Sequence, residues 1–124
     1  MHYRNAVIWE KAMMLAEQAC RLAAALPALE RFGLRSQLSR AAVSVPSNIA
    51  EGWSRESRRE KAQFLAIAQG SLSELHTQLL LAERLGWLNI EPLTPTYGLI
   101  DEVSRMLTTL RKKLRSDEPP ESRR

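Results

Sequence analysis

Apolar positions recur at steps of three and four along most of the chain, dividing it into four helical segments. Over residues 6–25, Ile8, Ala12, Leu15, Ala16, Ala19, Cys20, Ala23 and Leu26 share one stripe, widened by Trp9 and Met13. Glu10, Lys11, Glu17, Gln18 and Arg21 fall off it. Pro27 ends this segment, and residues 28–33 connect it to the next. Residues 34–52 repeat the pattern with Leu34, Leu38, Ala41, Val45 and Ile49, followed by Trp53. Pro46 lies inside this second stripe, where a proline removes a donor, crowds the carbonyl of Ala42 and costs about 3 kcal/mol. A restart at Pro46, capped by Ser44, would avoid the cost. The stripe keeps its phase across Pro46, however, which favours one kinked helix stopped by Gly52.

A short linker, residues 53–57, forces the third segment to return antiparallel. Ser57 and Glu60 have capping-box spacing, and residues 58–85 carry Phe64, Ala68, Leu72, Leu75, Leu79, Ala82 and Leu85 before Gly86 ends the run. Gly70 beside Ala66, Ala68 and Ser71 predicts a close helix approach there. Thr94 and Pro95 read as a cap and first helical residue. The fourth segment, residues 95–115, buries Leu99, Ile100, Val103, Met106, Leu107, Leu110 and Leu114. The expectation is an all-α, antiparallel up-down-up-down four-helix bundle with a proline-containing second helix, spanning residues 1–115. Residues 116–124, polar and proline-bearing, are expected to be a disordered tail.

Composition narrows the class. At 124 residues the chain is one domain with its own core, and 44% hydrophobic with 26% charged residues excludes general disorder. Cys20 is the only cysteine, so no intrachain disulfide or paired-cysteine metal site can form. The opening residues hold too short an apolar run for a signal peptide, no stretch reaches the ~18 apolar residues of a membrane span, and a reducing cytoplasm fits best.

No catalytic constellation appears, and no cofactor or metal motif; the expectation is a non-enzyme. Glu74 and His76 lack the spacing of a bundle di-iron site, and neither a phosphate-binding glycine loop nor a nucleophile elbow is present. Hairpin geometry places Gln37 and Arg40 opposite Ser71 and Glu74, predicting an Arg40–Glu74 pair. It sets Glu51 roughly 20 Å from Glu74, too far for paired-carboxylate chemistry.

The net charge of +4 permits a polyanionic partner. Its basic residues form two groups, Arg55, Arg58, Arg59 and Lys61 at the start of the third helix and Arg111, Lys112, Lys113 and Arg115 at the end of the fourth. Cations complement the dipole at a helix C-terminus and oppose it at an N-terminus, so the first group is the more telling. Aromatic interleaving is absent, Trp53 excepted, which predicts phosphate contacts that are salt-sensitive and weakly selective. Trp9, Trp53, Trp87, Leu88 and Ile90 form an apolar surplus at helix ends, available to cap the bundle or to join subunits.

The run Leu38 to Gly52, with Ser44-Val-Pro-Ser-Asn-Ile-Ala-Glu-Gly52 at its heart, and Phe64 to Leu79, with Gly70-Ser-Leu-Ser-Glu74 and Gln78, resemble the 23S rRNA-intervening sequence protein family. Trp9-Glu-Lys-Ala12 and Leu85-Gly-Trp-Leu88 match as well. The resemblance implies a four-helix bundle assembling as a ring-like homopentamer. It also implies kinship with the accessory variability proteins of diversity-generating retroelements, which bind nucleic acid and a reverse transcriptase. It assigns Arg40, Ser44, Pro46, Ser47, Asn48, Glu51, Gly52, Gly70, Ser71, Glu74 and Gln78 to fold and assembly. The leading expectation is a cytoplasmic, homo-oligomeric accessory protein touching RNA or DNA through phosphates. Its rivals are a protein-binding scaffold with no nucleic-acid role and an enzyme whose site forms between subunits. No membrane association is expected.

Overall fold

Four apolar stripes produce four α-helices: α1 Val7–Ala24, α2 Leu34–Ser54, α3 Arg58–Arg84 and α4 Ile90–Ser116. Short 3-10 turns at Tyr3–Asn5 and Ala28–Glu30 precede α1 and α2. The structure, a computed structural model, describes residues 2–30 and 32–116, among which there is no strand. Residues 117–124, most of the expected tail, lie outside the described residues.

The helices close a cycle in which α1 touches α2 and α4, and α3 touches α2 and α4. Neighbours run antiparallel. Ser44 meets Ser71 while Trp53 meets Lys61 across α2 and α3. Gln69 meets Thr108 and Glu83 meets Tyr97 across α3 and α4. Lys11 meets Glu102 and Gln18 meets Thr96 across α1 and α4. Numbering rises along one helix as it falls along the other in every pair. The α2–α3 turn and the end of α4 therefore share one end of the bundle with the start of α1.

Inside, leucines alternate with alanines. Leu15, Leu38, Leu75, Leu79 and Leu107 are completely buried, and so are Ala12, Ala19, Ala42, Ala68 and Ala82, whose small side chains let helix axes approach. Ile8, Ala16, Ala23 and Leu26 of the first stripe are buried as expected; Cys20 is half-buried. Two positions of the third stripe are shifted: Leu65 is buried, whereas Leu85 is half exposed.

Helix α2 runs unbroken through Pro46. Burial of Leu38, Val45 and Ile49 along one unbroken stripe opposes the proline's cost of about 3 kcal/mol, at roughly 1.5–3 kcal/mol per large side chain. The helix does not stop at Gly52 but at Ser54. Gly52 instead marks a close approach, since a Cβ there would lie 3.2 Å from Phe64 Cβ and 3.3 Å from the Lys61 carbonyl oxygen. The close approach expected at Gly70 is absent, with no neighbouring atom within 4 Å of a Cβ built there.

Ser57 caps α3, accepting from the Glu60 amide at 3.1 Å. Gly86, at φ 75°, closes the helix: its amide donates to Glu83 O and the Trp87 amide to Ala82 O, both at 3.0 Å, a Schellman arrangement. The fourth helix departs from expectation by starting at Ile90, not Pro95. Pro92 falls among the first four helical residues, whose amides have no partner within the helix, so it fits without loss there. Thr94 is no cap; its hydroxyl donates back to Ile90 O at 2.9 Å. Pro95 is an interior proline, and the earlier start adds Leu93 to the core beside the buried Thr96.

The two glycines give opposite expectations. Gly52→Ala should lower the free energy of unfolding by about 1–3 kcal/mol through overpacking against backbone and Phe64. Gly70→Ala, in open helix, should raise it by about 0.5–1 kcal/mol. Urea titrations of both variants check the pair; equal effects would contradict the packing assigned at α2–α3.

Candidate nucleic-acid interface

The chemistry-bearing side chains sort into a polar layer between helices and a cationic end. In the layer, Asn48 Nδ2 spans the turn of α2 that holds Pro46, donating to Ser44 O at 2.8 Å and Ser44 Oγ at 2.9 Å. Ser44 Oγ lies 2.8 Å from Ser71 Oγ on α3. These motif residues tie the proline-bearing turn to its neighbour, a structural duty. Gln78, also on α3, is buried, and its Oε1 has no partner among the described residues.

The other motif residues stand apart. Ser47 is exposed on the α1–α2 groove, Glu51 pairs with Arg55 at 3.0 Å, Gly52 packs against α3 and Gly70 is open. Arg40 and Glu74 are both exposed, and no ion pair joins them among the described residues. The predicted hairpin level is wrong by more than a turn: α2 extends to Ser54, so Ser71 meets Ser44 rather than Gln37 or Arg40. Among the described residues no group of three or more His, Cys, Asp or Glu is placed to hold a metal ion.

At the cationic end, the two basic groups come together. Trp53, Lys61 and Leu65 share a cleft with Leu110 and Leu114 of α4, and Arg111 Nη1 donates to Gln69 Oε1 at 2.8 Å, fixing the end of α4 against α3. Gln69 Nε2 in turn donates to Thr108 Oγ1 at 3.1 Å. Not every cation is available. Arg55 pairs with Glu51 and, at 3.9 Å, with Glu60, and its guanidinium sits 4.8 Å from the Phe64 ring centre. Lys61 Nζ donates to the Trp53 carbonyl at 3.1 Å, satisfying an orphan acceptor in the last turn of α2. Half of the first basic group thus has a structural role that its spacing did not reveal. Arg58, Arg59, Lys112, Lys113 and Arg115 are exposed, and no described residue forms an ion pair with Arg59, Lys112, Lys113 or Arg115. Acidic side chains at this end are Glu10, Glu51, Glu56 and Glu60, outnumbered by Arg4, Arg55, Arg58, Arg59, Lys61, Arg111, Lys112, Lys113 and Arg115, whereas at the far end Glu17, Glu30, Glu83 and Glu91 stand beside Arg21, Arg35 and Arg84. Positive charge is therefore concentrated at one end.

The expected apolar surplus is largely absorbed: Leu88 is buried, and Trp9, Trp53 and Trp87 pack on the core. Other apolar side chains stay in water instead, notably Leu29 at 99% and Phe32 at 85% exposure in the α1–α2 connection. Met13, Val43, Ile67 and Leu81 are partly exposed on helix faces. Buried contacts that spacing did not identify include Thr96 Oγ1 donating to Gln18 Oε1 at 2.9 Å, and Tyr97 Oη donating to Glu83 Oε1 at 2.7 Å with the His76 ring 5.5 Å away. Burial raises the Tyr97 hydroxyl above its usual titration range, and the bond to Glu83 and the charge of that carboxylate act the same way.

This is a helical bundle with a cationic end and no assembled catalytic group among its described residues. The chain belongs to the 23S rRNA-intervening sequence protein family, whose model matches residues 4–109, from the N-terminal turn into the penultimate turns of α4. No curated protein matches it. No helix among the described residues is long and apolar enough to cross a membrane.

Gln78→Met removes the unpartnered buried oxygen and should leave the unfolding free energy unchanged or raise it by about 1 kcal/mol; a decrease of that size would mean that the amide has a partner. For Tyr97, the folded-state shift is upward. Its contribution to stability is complete below about pH 10, where the unfolded tyrosine begins to ionise, and is lost as pH rises towards the folded value. Stability measured from pH 8 upward should therefore fall less steeply in Tyr97→Phe than in the parent.

Proposed function

We propose that the protein is a non-enzymatic, homo-oligomeric accessory that engages RNA or DNA phosphates through the cationic end of its bundle. The observation supporting this most directly is that the fold joins two basic groups distant in sequence, leaving Arg59, Lys112, Lys113 and Arg115 exposed and outside the ion pairs formed by described residues. Cations beside the N-terminus of α3 are opposed by its dipole, so the dipole does not favour Arg59 there. Contacts of this kind position a backbone and read little sequence. Assembly as a ring of five, the state the family resemblance implies, would place several cationic ends on one nucleic acid, and the partly exposed Met13, Val43, Ile67 and Leu81 offer lateral contact area. The same resemblance to retroelement accessory proteins favours a role beside a nucleic-acid enzyme in the cytoplasm. The exposed Leu29 and Phe32 at the opposite end favour a second reading, a scaffold that docks another protein there.

A salt series with labelled structured RNA and duplex DNA, with particle mass measured on the same sample, tests the first reading. Affinity should fall linearly in log salt, and Arg59→Ala, Lys112→Ala and Lys113→Ala together should flatten the slope on duplex DNA by about 0.9 for each phosphate that is no longer neutralised. An unchanged slope, or no binding at the lowest salt with the oligomer intact, rejects phosphate binding at this end.

A further inference from the structure

Two apolar clefts open at the cationic end, and Trp53 borders both. One, with a volume of about 480 Å³, lies between the start of α1 and α4; Ile8, Met106 and Leu110 line it, and Arg105, already ion-paired with Asp101, stands at its edge. The other, also about 480 Å³, lies towards α3 and is lined by Gly52, Lys61, Leu65 and Leu114. Each is within the roughly 300–1,000 Å³ range of small-ligand sites. Trp53 is only partly buried against the core. The Lys61 ammonium bound to its carbonyl holds it on the last turn of α2.

Apolar clefts attract planar apolar groups, and the surrounding cations attract negative charge. A nucleotide with an unpaired base carries both on one short unit, whereas a regular duplex keeps its base faces stacked out of reach and presents only phosphates. We infer that the clefts beside Trp53 receive an unpaired base, so that the preferred partner is single-stranded or looped nucleic acid rather than uniform duplex. This rests on the phosphate-binding reading and narrows it: the cations hold the backbone, and the indole and its aliphatic neighbours hold a base face.

The test uses the full chain carrying Trp9→Phe and Trp87→Phe, which leaves Trp53 the sole tryptophan. Oligoadenylate and a blunt duplex with the same number of phosphates are titrated against it at moderate salt. The expected result is quenching of Trp53 emission by oligoadenylate, with affinity at least about fivefold above that for the duplex. In the otherwise unaltered chain, Trp53→Leu should abolish this preference and leave duplex affinity in place. The quenching arm needs no change at Trp53, so a poorly folding Trp53→Leu chain does not remove the test. Equal affinity for both probes without quenching overturns the base cleft and leaves the phosphate reading standing. Binding of neither probe overturns both.

Discussion

Helix α2 has to remain helical across a residue that cannot complete its hydrogen-bond ladder, and the packing of its neighbours depends on that continuity. Pro46 withholds one donor, yet Val45 and Ile49 on either side of it are fully buried. Breaking the helix there would rotate one half of the stripe away from the core and expose at least one of them, a loss comparable with the proline's own cost. Hydrogen bonds from Asn48 to Ser44, and the contact of Ser44 with Ser71, bind the irregular turn to α3. Further along, Gly52 lets the same two helices converge on their turn. Proline, polar cluster and glycine are one device for holding α2 against α3, which explains why they occur together within one short run.

That hairpin also determines where charge collects. Antiparallel neighbours bring the C-termini of α2 and α4 to the same end as the N-termini of α1 and α3. Lysines and arginines suit the end of α4, where they oppose negative carbonyl ends, but Arg58 and Arg59 do not suit the start of α3. Ser57 and Glu60 partly relieve α3 by capping it. Helix electrostatics therefore explains the group at the end of α4, and side-chain contacts explain Arg55 and Lys61 of the other, but neither explains Arg59.

The residues most legible in the sequence are those governed by helical period. Spacing alone places Leu38, Val45, Ile49, Leu72, Leu75, Val103 and Leu107 in the core, and they are buried. Punctuation is less reliable because its meaning depends on neighbours. Thr94 and Pro95 have the residue types of a helix start, but Pro92 can occupy a first turn equally well, and the additional turn buries Leu93. Gly52 resembles a stop and is a point of close packing; Gly70 resembles a point of close packing and is open. Long side chains are least legible. Arg55 and Lys61 look the same as Arg59 in a charge pattern, yet Lys61 reaches back across the turn to Trp53 and Arg55 to Glu51. Only three-dimensional placement separates cations that hold the fold from those left exposed.

The two ends of this bundle make unlike demands on a partner, while its sides are nearly ordinary. Met13 and Val43 border the α1–α2 groove, and Ile67 and Leu81 lie scattered on α3 at partial exposure. Leu29 and Phe32 project from the connection at the end opposite the cationic one. On the proposed reading, lateral association would leave both ends free, each repeated once per copy. Individually weak phosphate contacts would then act together, with an effective concentration set by the rigid spacing of the bundles rather than by a flexible linker. On that reading a chain with few available cations would in this way hold a long polyanion firmly, and assembly would be a physical condition of the function and not an ornament to it.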